Sequence, residues 1–206
     1  MSIKKFSSIM FMIIGSSMTQ KAFDVTQQGF GISISDWYTR LADVIIRGQS
    51  GYNSRWTLMI LHEIIGNYTP DMTAVFLGNN DSSIGRQFVK VEEFEANMIE
   101  IVCRLRDVNP EMAIILITPT RANKQGRSNE VTEKYADVVR SIGETMPYRM
   151  AVLDTWIGDY SITADDLYDG LHLGVTGNEK IASGIKETIR LNFPEYVPFY
   201  DNKYKI

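Results

Sequence analysis

Three side chains, Ser17, Asp169 and His172, are of the types that together turn a serine hydroxyl into a nucleophile for carbonyl carbon. Such chemistry needs a base within hydrogen-bond reach of the serine and a group that orients the base. It also needs donors aimed at the oxygen on which charge develops. Ser17 follows an apolar run and Gly15, where a turn would expose its hydroxyl at the start of a helix. His172 is one of two histidines, and Asp169 precedes it by three residues with Gly170 between. That spacing lets carboxylate and imidazole approach each other while the ring still faces a serine from elsewhere in the chain. Gly48 offers an unshielded backbone N–H and Asn80 a side-chain amide. Each signal alone has an ordinary counterpart: a turn serine, a loop ion pair, or a side chain capping a turn. Asp81 reads as a turn-stabilising carboxylate. His62, between Leu61 and Glu63 in a helical segment, and Cys103, without an activating neighbour, read as bystanders. Asp165 and Asp166 imitate a metal pair but read as surface charge, and no His/Cys/carboxylate cluster has ligand spacing.

The elements that must position these groups alternate in type. Short, β-rich apolar segments fall at 8–14, 43–47, 73–77, 112–117 and 149–153. Between them lie segments of helical period at 35–42, 54–65, 90–106, 128–145 and 175–191. In the 90–106 segment Val91, Phe94, Met98, Ile101, Val102 and Leu105 make one stripe. Strands separated by helices mean right-handed crossovers, hence a parallel sheet with helices on both faces. In such sheets ligands bind beyond the carboxyl ends of the strands. The segments leaving there are Gly15–Gln20, Arg47–Asn53 and Gly78–Asp81, joined by the late Asp169–His172 loop. The four polar clusters therefore exit toward one rim.

The bulk numbers fit this picture. A chain of 206 residues with 44% hydrophobic and 22% charged residues reads as one globular domain, spanning 1–206. The tail from about 192 to 206, aromatic and punctuated by proline, reads as a strap across its surface. A net charge of −4 argues against a nucleic-acid partner. One cysteine suits a reducing compartment, cytoplasmic or mitochondrial. Lys4 and Lys5 before the first apolar run imitate a secretory signal, but the run is too short to span a bilayer and lacks a convincing cleavage pattern. It reads instead as a buried parallel strand.

The four polar segments, in this order, resemble the signature blocks of the GDSL, or SGNH, hydrolases. The likeness is nearest to the isoamyl-acetate-hydrolysing esterase-like branch. It rests on Gly15-Ser-Ser-Met-Thr-Gln20, Arg47-Gly-Gln-Ser-Gly-Tyr-Asn-Ser-Arg-Trp56, Phe76-Leu-Gly-Asn-Asn-Asp81 and Asp169-Gly-Leu-His-Leu173, and extends through Gly177-Asn178 to Pro194-Glu-Tyr196. The resemblance implies Ser17 as nucleophile, His172 as base and Asp169 as its orienter. It implies an oxyanion hole from the N–H groups of Ser17 and Gly48 and the Asn80 amide. It further implies an α/β fold, a three-layer α/β/α sandwich on a five-stranded parallel sheet ordered 2-1-3-4-5, and no metal or cofactor.

Tyr52 and Trp56, just after the second block, are either core filler or the wall of a substrate pocket, with Trp56 leaning to core. The departure from the family is Ser16, where an aspartate is usual. A hydroxyl supports a turn more weakly than a carboxylate, so the Ser17 turn is expected to be looser or supported by other groups. Two readings of function follow. The first is a serine esterase acting on small carboxylic esters through an acyl-enzyme. The second is an idle or weakly active relative kept as a structural subunit of a larger assembly, suggested by Ser16 and the aromatic tail. The complete Ser-His-Asp set favours the first.

Overall fold

A computed structural model describes residues 9–146 and 148–201. Lys4, Lys5 and the end of the tail with Tyr204 lie outside them. The five apolar runs are strands: β1 (Ile9–Gly15), β2 (Ala42–Gly48), β3 (Met72–Phe76), β4 (Ala113–Ile117) and β5 (Met150–Leu153). All pair in parallel in the order β2-β1-β3-β4-β5. The first apolar run is thus an interior strand, buried from Phe11 onward, as continuous hydrophobicity demands of a strand covered on both faces.

Alternation along the strands divides the core. Phe11, Ile13, Ala74 and Ile115 face one side, packed with Phe30 and Ile34 of α2 (Phe30–Trp37) and Ile181 and Ile185 of α7 (Val175–Asn192). Met12, Ile14, Val75 and Leu116 face the other. There they meet α4 (Leu61–Ile65), α5 (Val91–Val108) and α6 (Asn129–Thr145) through Ile64, Phe94, Met98, Val139 and Ile142. The result is a three-layer α/β/α sandwich.

Two helical expectations shift. The 35–42 helix lies earlier, because the apolar stripe is Phe30, Ile34 and Trp37 rather than Trp37 and Leu41. Arg40, at φ 73°, is in the left-handed region that ends the segment before β2. The 54–65 helix is broken at Ile60 into α3 (Ser54–Met59) and α4, which bury different faces: Ser54 and Thr57 in one, Leu61, Ile64 and Ile65 in the other.

Register aligns the carboxyl ends. Gly15 pairs with Gly48 on one side and Phe76 on the other, Phe76 with Ile117, and Ile117 with Leu153, so one row crosses the sheet. The chain order reverses between β1 and β3, and the crevice at such a switch point is where open α/β sheets bind ligands. Ser17 leaves β1 there, and Asn80 follows β3. Between α7 and the last described residue, a single 3₁₀ turn (Pro194–Tyr196) leads into a strap. It is fastened by Tyr38 Oη donating to the Tyr196 carbonyl (3.0 Å), Trp37 Nε1 to Asp201 (2.8 Å) and Tyr200 Oη to the Trp37 carbonyl (2.6 Å). No helix among the described residues is long and apolar enough to cross a membrane.

Candidate active site

Ser17 is the first residue of α1 (Ser17–Gln20), a single turn opening directly after β1. Its Oγ lies 3.0 Å from Nε2 of His172, whose Nδ1 lies 2.8 Å from Oδ2 of Asp169. With Nδ1–H donating to a carboxylate, Nε2 carries the lone pair and accepts from the serine hydroxyl. The Asp-x-x-His spacing has a local cause. Oδ1 of Asp169 accepts from the N–H groups of His172 (2.7 Å) and Leu171 (3.0 Å), so one carboxylate folds the turn and orients the ring. Gly170 lets the turn close: its φ is 77°, and a Cβ there would stand 2.2 Å from the Asn123 carbonyl oxygen. Burial pushes the Asp169 carboxyl up, but the two N–H groups and the imidazole outweigh it and hold the group well below the usual carboxylate range. Tyr168 stacks on the imidazole with centroids 6.0 Å apart. The histidine side chain remains 17% exposed, so its outer edge meets solvent.

Ser16 is buried at the N-cap of α1, and its side chain makes no capping bond. The turn is held by backbone instead: Gln20 N donates to the Ser16 carbonyl (2.9 Å) and Gln49 N to the Gly15 carbonyl (2.9 Å). Gly48 is pressed against the same turn so closely that a Cβ would stand 1.9 Å from Gln20 N, and only glycine permits that approach. Gln20 Oε1 in return accepts from Ser50 N (2.8 Å). Asn80 Nδ2 donates to the Tyr52 carbonyl (2.8 Å), tying the loop after β3 to the loop after β2. Asp81 is buried beneath them and accepts from Ser54 N at 2.8 Å. Burial pushes its carboxyl up to about 6 against those hydrogen bonds. It is a loop anchor, as its turn role suggested.

Tyr52 and Trp56 meet edge to face at 5.9 Å and, with Ser50, Gly51, Arg86 and Gln87, line an open cleft of about 670 Å³ beyond Gly48. Trp56 is half-buried there with Arg86 over its ring (5.7 Å), so it is cleft wall rather than core. Asp166 is not surface charge: it is buried and paired with Lys180 Nζ at 2.7 Å.

Residues that the sequence reading missed close the rim. The loop between β4 and α6 reaches both halves of the site. Asn123 N donates to the Gly170 carbonyl (2.7 Å), Lys124 Nζ lies 3.5 Å from Asp169, and Arg127 bonds to Asn79 and Asn80. Asn178 was part of a recognised block but had no role. It donates to the Leu173 and Gly174 carbonyls (both 3.0 Å), so it fastens the histidine loop to α7. Asn53, immediately before a helix, carries the N-cap signature that could have revealed its bond to Trp56 N (2.9 Å).

Residues 13–180 match the GDSL-like Lipase/Acylhydrolase family. A GDSL esterase/lipase of Arabidopsis thaliana is 32% identical, with 91% of this chain and 88% of that protein covered. The isoamyl acetate-hydrolyzing esterase 1 homolog of Homo sapiens is 34% identical, over 84% of this chain and 77% of that protein. A possible lipase from Chitinophaga pinensis superposes with a TM-score of 0.75 at 20% identity, covering 89% of this chain and 98% of that one. For the acetylxylan esterase Axe2 from Geobacillus stearothermophilus the TM-score is 0.71 at 21% identity, covering 95% and 99%. With most of its length matched and relatives above 30% identity along it, this chain belongs to the GDSL-like lipase/acylhydrolase family and is a hydrolytic enzyme.

Proposed function

We propose that the enzyme is a serine esterase that hydrolyses small carboxylic esters through an acyl-enzyme, all within one catalytic domain. The observation that carries this reading is the chain Ser17 Oγ–His172 Nε2 (3.0 Å)–Asp169 (2.8 Å), formed at the carboxyl rim beside an open cleft. His172 takes the proton as Ser17 attacks the ester carbonyl, and Asp169 stabilises the imidazolium that results. The oxyanion is received by the N–H groups of Ser17 and Gly48 and the Asn80 amide. The imidazolium returns the proton to the leaving alcohol. Water then repeats the path on the acyl-enzyme, restoring the serine. Tyr52 and Trp56 form the wall against which the ester's organic part rests. The relatives named for isoamyl acetate support small esters as substrates.

The test is labelling with a fluorophosphonate probe together with turnover of p-nitrophenyl acetate, using Ser17→Ala as the blank. The reading expects labelling and turnover in the wild type and neither in the variant. A folded wild type that matches the blank in both assays overturns it and favours a structural subunit.

A further inference from the structure

We propose that Arg127 is a positioning residue of the oxyanion hole, which sets the orientation of the Asn80 amide and polarises its N–H groups. This rests on the esterase reading of the same site. Arg127 follows Gly126 in the loop between β4 and α6, half-buried, 47 residues after Asn80 in the chain. Its Nη1 donates to the Asn79 carbonyl, and its Nη2 lies 3.3 Å from Asn80 Oδ1. The other end of that amide, Nδ2, donates to the Tyr52 carbonyl at 2.8 Å.

These neighbours leave the amide one orientation. Rotated by half a turn, it would present its NH₂ to a guanidinium, which accepts nothing, and its oxygen to a carbonyl, which donates nothing. Arg127 therefore selects the rotamer in which Nδ2 faces the loop after β2. One N–H of Nδ2 is used by Tyr52, and the second has no protein acceptor among the described residues. That free N–H is the donor an oxyanion needs. A cation bonded to the amide oxygen draws electron density from the nitrogen and strengthens this donor, as linked hydrogen bonds do in a low-dielectric site.

Two further observations separate this role from loop fastening. Among the described residues no carboxylate forms an ion pair with Arg127, and burial lowers its pKa. A half-buried cation without a counter-ion is unfavourable in the resting protein, so its charge is met by the Asn79 carbonyl and the Asn80 amide oxygen, and it acts on the site through that amide. The loop is also anchored without it. Asn79 Nδ2 donates to the Thr120 carbonyl (2.9 Å), Thr120 N donates to Asn79 Oδ1 (3.2 Å), and Asn123 N donates to the Gly170 carbonyl (2.7 Å).

The experiment is a double-mutant cycle of Arg127→Ala and Asn80→Ala on p-nitrophenyl acetate, with Arg127→Lys as the conservative variant. Arg127→Ala is expected to lower kcat by about 10- to 100-fold, the scale of one hydrogen bond to a charged group, with KM within about twofold. Arg127→Lys should recover part of the loss, since it keeps the charge without the fork. The double variant should be no slower than Asn80→Ala alone. Multiplying effects, or a loss confined to KM, overturn the proposal, and the second result would make Arg127 a substrate-binding group. An activity-independent readout is the ¹H–¹⁵N signal pair of the Asn80 side chain, identified by its disappearance in Asn80→Ala. Arg127→Ala must shift or broaden it, and an unchanged pair overturns the proposal even if the wild type proves inactive. A wild type that neither turns over nor labels overturns the esterase reading instead.

Discussion

The two ends of the same sheet use their polar residues in opposite ways. At the amino end, Asp71 accepts from Met10 N (2.8 Å), Asn109 donates to the Pro70 carbonyl (2.9 Å), and Tyr148 donates to Glu111 (3.0 Å). Arg149 there bonds to the Glu111 carbonyl and to Glu195, both at 2.7 Å. These bonds tie the segments entering β3, β4 and β5 to one another, to β1 and to the turn before the strap. At the carboxyl end the bonds come from behind: Asp169 holds His172, the Tyr52 carbonyl and Arg127 hold Asn80, and backbone holds the Ser17 turn. What they hold are the groups to which the proposed chemistry falls: Ser17, His172 and Asn80. The difference teaches that an active rim is recognised by supported groups with a free face, and not by polarity, which both rims share.

Breaking the supported groups should cost activity and little stability. The largest effect is expected for Ser17→Ala or His172→Ala, about four to six orders of magnitude in turnover on p-nitrophenyl acetate, with unchanged circular dichroism. Losing less than tenfold would remove that residue from the chemistry. Asn80→Ala should lose about two to three orders, the usual cost of one oxyanion donor. Wild-type rates in this variant would place the oxyanion elsewhere.

Asp81 tests the layer beneath the rim through pH. Its folded pKa of about 6 lies above the roughly 3.8 of an unfolded aspartate, so between those values the folded state binds more protons. Stability contributed at this position is therefore present below about pH 4, falls as pH rises to about 6 and is level above it. Asp81→Asn keeps an acceptor for Ser54 N and should remove the slope. Relative to wild type it should gain on the order of 2 kcal/mol at pH 8 compared with pH 4 in urea titrations. Parallel curves for the two proteins would show that Asp81 does not titrate there.

The smallest effects belong to the amino end. Asp71→Ala should leave turnover within about twofold and lower stability by about 1 kcal/mol, the net worth of an ordinary hydrogen bond. A loss of turnover at constant folding would mean that the two rims communicate.

The strands and the histidine turn were legible because their determinants are local. Five apolar runs placed each described strand to within one residue at either end, and parallel pairing followed from the helices between them. Asp169, Leu171 and His172 interact across at most three residues, so their types and spacing already contain the turn. The early helix was misplaced because Trp37 and Leu41 share a helical spacing that Phe30, Ile34 and Trp37 fill better. Asp166 looked like surface charge because Lys180, which neutralises it, lies fourteen residues away on a different element.

By itself, then, the sequence determined the alternation of elements, the end of β1 that presents Ser17, and the carboxylate–imidazole pair, each a property of neighbouring residues. The tertiary structure alone decided that His172 stands 3.0 Å from a serine 155 residues earlier. It also decided that Trp56 borders a cleft and that Arg127 reaches Asn80. The physical reason is that local periodicity and turn chemistry are written in adjacent side chains. Which distant loops share a rim is set by strand register and crossover handedness, and a cation's partner across that rim leaves no trace in the residues beside it.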